Sequence, residues 1–198
     1  MITALLLFWP ALAALLVLLI KGEGAKKVAF IATLVEFAIA LFATVNFVPD
    51  ATTQFALDMP WVERAGIGFS IGMDGISLLM VLLTTFLVPL IVLSSFKHDY
   101  KNPHVFYALV LFMQTGLIGV FVAMDAFLFY FFWEVALIPI YFIAAIWGGA
   151  RRIPVTFKFF VYTIFGSLFM LAAFIYLYFQ TAGTELAAHS SNVNAFYQ

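Results

Sequence analysis

The chain has 198 residues, of which 66% are hydrophobic and 10% are charged, and a soluble domain of this length could not bury so much apolar surface. Nine Lys and Arg residues stand against ten Asp and Glu residues, so the chain lacks the basic field that nucleic-acid binding requires. The absence of cysteine excludes disulfides, thiolate catalysis, Cys-bound zinc and Cys-ligated iron–sulfur clusters within this chain.

Six segments have the length and apolar character of membrane-spanning helices. A hydrocarbon core of about 30 Å needs about 20 residues at a rise of 1.5 Å each. The predicted spans are Ile2–Ile20, Val28–Val48, Ile76–Phe96, Val105–Met124, Ala126–Trp147 and Phe157–Thr181. The ionisable residues inside these bounds are Glu36, Glu134 and Lys158. The sequence therefore predicts an all-α polytopic membrane protein, with residues 1–198 in a single membrane domain.

Positive charges lie in alternate connections between these spans. The connections after the first, third and fifth spans carry Lys21, Lys26, Lys27, Lys97, Lys101, Arg151 and Arg152. The opposite side carries Arg64 alone, so the positive-inside rule predicts that both termini face the periplasm across a bacterial inner membrane. Because basic residues follow the first span and none precedes it, this span is predicted to be a retained helix and not a signal peptide.

The longest connection, residues 49–75, is predicted to be an ordered outer loop, because it carries four acidic residues together with Trp61. Two aspartates at helix starts, Asp74 and Asp125, are predicted to cap the third and fifth helices. The glycine spacing in Gly66-Ile-Gly-Phe-Ser-Ile-Gly72 has no βαβ context, so we reject a nucleotide-binding interpretation. Residues 182–198 are predicted to form a polar tail on the outer side.

Glu134 is the residue of this sequence that most strongly indicates chemistry. It lies about 14 Å below the outer boundary of its span, near the middle of the bilayer. A charged carboxylate at that depth costs at least about 2.5–3.5 kcal/mol, so the group must be protonated, paired or hydrated. Two interpretations remain open from the sequence: a relay that holds and releases a proton, and a structural carboxyl satisfied by neighbouring hydroxyls.

A polar stripe surrounds this glutamate on its helix. At 100° per residue, Tyr130 and Tyr141 fall within about 40° of Glu134, and such a stripe can hold water. Pro139 removes the backbone donor one turn later, and Pro89 does the same in the third span. We predict helix breaks at both prolines, either as part of a proton path or as simple kinks.

Lys158 and Glu36 are weaker candidates for the same proton path. Lys158 enters its span about one turn from the basic side, where its stem can reach the headgroups, so membrane anchoring is the alternative role. Glu36 lies about 12 Å in from that side. Pairing with Lys158, marking an access path and serving as a satisfied interfacial acid are its three open roles.

The remaining polar and small residues are assigned to structure. His98, His104 and His189 lack metal-ligand spacing, so neither a metal site nor a cofactor site is predicted in this chain. The small residues Gly116, Gly119, Gly166 and Ser167 on the fourth and sixth spans are predicted to permit close packing of helices in lipid.

Several motifs together resemble one family. The resemblance of this chain to that family rests on the motifs Phe131-Phe-Trp-Glu-Val-Ala-Leu-Ile-Pro-Ile-Tyr-Phe142, Trp147-Gly-Gly, Lys158-Phe-Phe-Val-Tyr-Thr163, Gly166-Ser167, Gly72-Met-Asp-Gly-Ile-Ser77 and Leu83-Thr-Thr-Phe86. These segments resemble, in the right order, the third, fifth and sixth helices of subunit M, the chain 4 type of antiporter-like subunit in proton-pumping NADH:quinone oxidoreductases. The resemblance covers essentially the whole chain.

The resemblance implies the N-terminal part of an antiporter-like, inverted-repeat fold in a respiratory complex. Glu134 occupies the position of the family's signature glutamate, which works with lysines on later helices. Members have about fourteen helices, so the resemblance implies that those lysines belong to polypeptide outside this sequence. It also implies that flavin, iron–sulfur clusters and quinone reside in other subunits, and that the partners are membrane subunits and the lipid bilayer.

Two alternatives belong to other classes. One is the related subunit of a multisubunit sodium/proton antiporter, which carries out no coupled redox chemistry. The other is a non-catalytic membrane scaffold, in which Glu134 only stabilises the packing of helices.

Overall fold

The computed structural model describes residues 1–20, 22–49, 52–62, 67–98 and 100–180, and within these ranges it is mainly helical. Its helices are α1 Ile2–Leu19, α2 Glu23–Val45, α3 Gly75–Ser94, α4 Pro103–Val122, α5 Ala126–Trp147 and α6 Arg152–Gln180. Each is long and apolar enough to cross a bilayer, which confirms the predicted polytopic helical fold. The predicted polar tail, residues 182–198, lies outside the described residues.

Several helices extend beyond the apolar stretches that revealed them. The second helix begins at Glu23 and not at Val28, and the sixth begins at Arg152 and not at Phe157. Hydropathy marks the lipid-facing length of a helix, whereas backbone hydrogen bonds continue into its polar flanks. The fourth helix starts at Pro103, where the missing N–H of proline costs no intrahelical bond.

The outer connection contains a β-hairpin that the sequence prediction did not anticipate. Strand β1, Gln54–Val62, pairs antiparallel with β2, Ile67–Met73. The partly alternating pattern of these residues suits a two-stranded ribbon, and the last residues of β2 are buried. Part of the glycine-spaced segment is therefore a strand, in agreement with our rejection of a nucleotide loop.

Hydrogen bonds fasten this hairpin to the outer ends of the helices. The Thr3 hydroxyl donates to the carbonyl of Phe55 over 2.7 Å, which ties the start of α1 to β1. The backbone N–H of Met124 donates to the carbonyl of Ser70 over 2.9 Å, which ties the turn between α4 and α5 to β2. The hairpin thus covers one end of the helix bundle and fixes which helix ends meet there.

The first four helices enclose two apolar clusters, one at each end of the bundle. The inner cluster combines the end of α1, the start of α2, the end of α3 and the start of α4, with Tyr107 and Leu111 among its fully buried members. The outer cluster combines the opposite ends of these helices with Ile71 and Met73 of the hairpin and with the start of α5. Helix α4 is the most buried span and packs on α1, α2, α3 and α5.

Close packing of α5 on α4 depends on glycine, as predicted. A Cβ added at Gly116 would stand 2.7 Å from Ala136 Cα, and one added at Gly119 would overlap the Phe132 ring. Gly166 on α6 differs, because a Cβ there would meet nothing within 4 Å among the described residues. The close packing predicted at Gly166 is therefore not found in this part of the chain.

Candidate functional site

Glu134 lies on the face of α5 that meets α6. The Ser167 hydroxyl of α6 donates a hydrogen bond to Glu134 Oε1 over 2.5 Å. In the described chain, Ser167 and Thr156 are the two buried side chains of α6, whereas Glu134 is half-buried. The interface between α5 and α6 therefore encloses a carboxyl and a hydroxyl that contact each other.

Tyrosine side chains extend this contact along the same face of α5. Tyr130, one turn before Glu134, lies close enough to interact electrostatically with both Glu134 and Ser167. Tyr141, two turns after Glu134, places its ring 4.9 Å from the ring of Phe160 on α6. The predicted polar stripe thus faces α6, where Glu134 and Tyr130 lie beside the Ser167 hydroxyl.

Aromatic rings close the outer half of this interface. Phe129 and Phe174 meet edge to face at 6.2 Å, and Phe127 and Tyr178 meet at 6.1 Å. Such ring contacts hold the two helices in register and keep the region beside the carboxyl apolar. The carboxyl and the hydroxyls together can hold a proton or hand it on, because each group can donate or accept a hydrogen bond when the acid is protonated.

Lys158 lies apart from this centre. Its side chain is exposed, and positions 158 and 167 are separated by about 14 Å along α6. That separation excludes a direct ion pair between Lys158 and Glu134. The suggested pairing of Lys158 with Glu36 is wrong as well, because α6 packs mainly on α5 whereas Glu36 is enclosed by the first four helices.

Glu36 is fully buried on the inward face of α2. Neither of its carboxyl oxygens has a hydrogen-bond partner among the described residues. The interpretation as a satisfied interfacial acid is therefore wrong for this part of the chain, because the side chain lies away from the bundle surface and has no hydrogen-bond partner among the described residues. Its location in the bundle also separates it from the α5–α6 interface.

The prolines leave their helices continuous. Helix α5 runs through Pro139 and helix α3 runs through Pro89, and both prolines are buried. The predicted helix breaks are corrected accordingly to the loss of a single backbone donor at each site, because the rest of each hydrogen-bond ladder persists. Pro10 does the same in α1 and was not singled out from the sequence.

Sequence reasoning also missed two functional candidates. Ser167 was assigned to packing, although it is the hydrogen-bond partner of Glu134. Gln114, the lone amide in the α4 span, is fully buried and is the second such candidate. An uncharged polar side chain within a predicted span is the signal that could have identified both, because such groups often form hydrogen bonds between helices in lipid.

Asp125 and Asp74 fulfil their predicted capping roles. Asp125 Oδ1 accepts hydrogen bonds from the backbone N–H groups of Phe127 and Leu128 over 2.9 and 3.1 Å. Asp74 Oδ1 accepts from Ser77 N–H over 2.7 Å, and this bond holds the pKa of the Asp74 carboxyl below its usual value. The cap at Asp74 marks the start of α3, and the cap at Asp125 marks the start of α5, nine residues before Glu134.

These features define a polytopic helical membrane protein with an ionisable site between two spans. Family comparison then identifies it. Residues 5–122 match the model for NADH-ubiquinone oxidoreductase chain 4, amino terminus, and residues 123–198 match the model for the membrane domain of NADH:quinone oxidoreductases and Mrp antiporters. The chain belongs to the chain 4 family of antiporter-like membrane subunits, as the sequence motifs predicted.

Curated relatives support this assignment. Subunit M of NADH-quinone oxidoreductase from Rhodobacter capsulatus is 39% identical over 191 residues, covering 92% of this chain and 37% of the relative. Subunit M of F(420)H(2) dehydrogenase from Methanosarcina mazei is 36% identical over 182 residues, covering 90% of this chain and 36% of the relative. The chain spans a little over a third of the length of these relatives.

Solved structures share the fold. A chain of respiratory complex I from Thermus thermophilus superposes with a TM-score of 0.84 at 26% identity, covering 99% of this chain and 38% of that one. A chain of the Mrp complex from Dietzia gives a TM-score of 0.74 at 15% identity, covering 91% of this chain and 19% of that one. These matches confirm the antiporter-like architecture.

Proposed function

We propose that this chain forms the first part of a proton-translocating membrane subunit of a quinone-reducing respiratory complex. The observation that carries the proposal is the hydrogen bond from Ser167 to Glu134, at an interface between two spans near the middle of the membrane. Membership of the chain 4 family supports it. An ionised carboxyl at that depth is energetically costly, and acids inside membrane spans usually have a function.

In this proposal Glu134 holds and releases the proton, and Ser167 positions it. The serine hydroxyl fixes one carboxyl oxygen, and the Tyr130 hydroxyl lies beside both groups. An approaching cation favours the ionised carboxylate, and withdrawal of that cation favours the protonated acid. The cation is a lysine supplied by polypeptide beyond these residues, and its movement follows a change of charge caused by quinone reduction elsewhere in the complex.

The redox step belongs to other subunits. One relative is named for NADH-quinone oxidoreductase and another for F(420)H(2) dehydrogenase, so relatives with similar membrane spans differ in electron donor. We assign flavin, iron–sulfur clusters and quinone to partner subunits. In this proposal, the step that the complexes share is proton translocation through the membrane spans.

The proposed location is the bacterial inner membrane, with both termini in the periplasm. The start of α1 and the hairpin lie at one end of the bundle, whereas Lys97 and the residues around Arg152 lie at the opposite end. The excess of positive charge at that second end supports a cytoplasmic location for it, by the positive-inside rule. Neighbouring membrane subunits and the lipid bilayer are the proposed partners.

Substitution of Glu134 tests the proposal. Glu134→Gln in the intact complex is expected to abolish most proton pumping, because the amide cannot exchange a proton, whereas Glu134→Asp retains more. Acidification by inverted membrane vesicles measures the effect. Glu23→Gln is the matched control, since Glu23 is an exposed carboxylate at the inner start of α2. Undiminished pumping by assembled Glu134→Gln complex refutes the proposal.

The same membranes separate the alternatives. Exchange of sodium for protons without any electron donor or quinone favours an antiporter subunit. A Glu134→Gln complex that assembles poorly but pumps normally for each assembled copy favours a scaffold role. Both outcomes contradict a redox-coupled proton path through Glu134.

A further inference from the structure

The middle of the α1–α4 bundle contains a buried polar layer that the proposed function does not use. On α2, Glu36 lies one turn from Ala32 of the inner cluster and one turn from Ala40 of the outer cluster. On α4, Gln114 lies in the same way between Leu111 and Ile118. Because helices α2 and α4 pack together, Glu36 and Gln114 occupy the same level between the two apolar clusters.

Neither side chain is satisfied within the described part of the chain. Glu36 and Gln114 are both fully buried, with 0% of their surface exposed. Both carboxyl oxygens of Glu36 and both amide atoms of Gln114 lack hydrogen-bond partners there. Buried polar atoms in native proteins are almost always hydrogen-bonded, so four such atoms at one level indicate a bound group.

A proline adds an acceptor to the same layer. Pro89 of α3 is buried and lacks the N–H that would bond the carbonyl of Thr85, four residues earlier. Thr85 lies between Val81 of the outer cluster and Val88 of the inner cluster, and its hydroxyl already donates to the carbonyl of Val81. The layer therefore has an excess of oxygen acceptors, and the Gln114 amide is its unpaired donor among the described side chains.

No cation lies at this level in the described helices. Helices α1 and α3 carry no titratable side chain between Ile2 and Leu19 or between Gly75 and Ser94. Lys27 precedes Glu36 by about 14 Å along α2, and His104 precedes Gln114 by about 15 Å along α4. Tyr107 bonds Ser95 at the inner end, and Glu134 of α5 faces α6 instead.

We propose that Glu36 and Gln114 form a second proton-binding site, in which Glu36 holds a proton as a neutral acid and shares ordered water with Gln114. The bound proton supplies a donor where acceptors are in excess, and water supplies the rest. An ionised carboxylate without a counter-charge is far more costly in such surroundings than the neutral acid. The site is independent of Glu134, because α5 closes tightly on α4 at Gly116.

Infrared difference spectroscopy of the complete purified complex tests this site. The spectrum of wild type minus Glu36→Gln is expected to show the C=O stretch of a protonated carboxylic acid that shifts in D2O. The spectrum of wild type minus Glu23→Gln provides the ionised reference, since Glu23 is exposed. Carboxylate bands in the Glu36 difference spectrum overturn the proposal. Bands that appear or move only when sodium is added would show that these oxygens bind sodium ions, and this result also overturns the proposal.

A second variant keeps the test decisive if Glu36→Gln does not assemble. Gln114→Leu retains Glu36 but removes its amide neighbour, so the acid C=O stretch is expected to shift to higher frequency as its hydrogen bonding weakens. An unmoved band contradicts shared water between the two residues. Glu134→Gln is expected to leave this band unchanged, so failure of the Glu134 proposal and failure of the Glu36 proposal give different results.

Discussion

The Ser167 hydroxyl of α6 and the Glu134 carboxyl of α5 contact each other over 2.5 Å. The hydroxyl also lies 3.0 Å from the carbonyl of Ile164 on its own helix, so it has two acceptors available for one proton. When Glu134 is ionised, the charged acceptor offers the stronger hydrogen bond. The serine is therefore positioned to respond to the protonation state of the glutamate.

Ser167→Ala is expected to reduce proton pumping several-fold, but by less than Glu134→Gln. The alanine removes a hydrogen bond to a charged group, worth about 1.5–3 kcal/mol, while leaving the carboxyl itself in place. Initial rates of vesicle acidification for each assembled complex measure the effect. Ser167→Thr is expected to restore part of the rate, because the hydroxyl returns.

Thr163→Ala is the matched control on the same helix. The Thr163 hydroxyl donates to the carbonyl of Phe159 within α6 and does not reach Glu134. Equal losses from Ser167→Ala and Thr163→Ala would show that removing any α6 hydroxyl slows pumping, and the positioning role would be abandoned.

The helices and Glu134 were predictable because their signals are local. A run of apolar residues long enough for the bilayer identifies a span from its own composition, and one acid inside it is conspicuous at once. The caps at Asp74 and Asp125 are equally local. These features need no knowledge of which helices are neighbours.

Partners between helices were not predictable in this way. Whether Ser167 faces Glu134, or Gln114 reaches the level of Glu36, depends on the rotation and register that packing imposes on each helix pair. The positions of Lys158 and Glu36 toward the basic side suggest a pair, yet Lys158 lies on α6, which packs on α5, whereas Glu36 lies within the first four helices. The hairpin is hard to predict because the alternation of apolar and polar residues in its strands is weak, whereas the acidic residues of this connection indicate only an outer loop.

Gly116→Ala is expected to destabilise the bundle by about 1–3 kcal/mol, the usual range for inserting a methyl group into a packed contact. The new Cβ would stand 2.7 Å from Ala136 Cα, and this neighbour is backbone that cannot rotate away. Gly166→Ala is the matched control, because a Cβ there has open space among the described residues and alanine favours helix. Thermal unfolding in detergent should therefore show a lowered Tm for Gly116→Ala alone.

Asp125→Ala is expected to loosen the hairpin as well as the start of α5. The carboxylate caps α5 through Phe127 and Leu128, and its second oxygen accepts from Gly68 N–H of β2 over 3.3 Å. Loss of the cap alone costs about 1 kcal/mol. Hydrogen exchange should become faster in both β2 and the first turn of α5. Faster exchange confined to α5 would show that Asp125 does not hold the hairpin.

The cap at Asp74 predicts a small dependence of stability on acid. The Ser77 N–H lowers the pKa of the folded Asp74 carboxyl below its ordinary value of 3.8. A lowered folded pKa contributes stability that is present above the unfolded pKa and is lost as pH falls through the folded one. Because the group is largely exposed, solvent screening limits the effect to less than about 1 kcal/mol. Between neutral pH and pH 3, Tm of the wild type should fall slightly more than Tm of Asp74→Asn, and parallel curves would contradict the assignment.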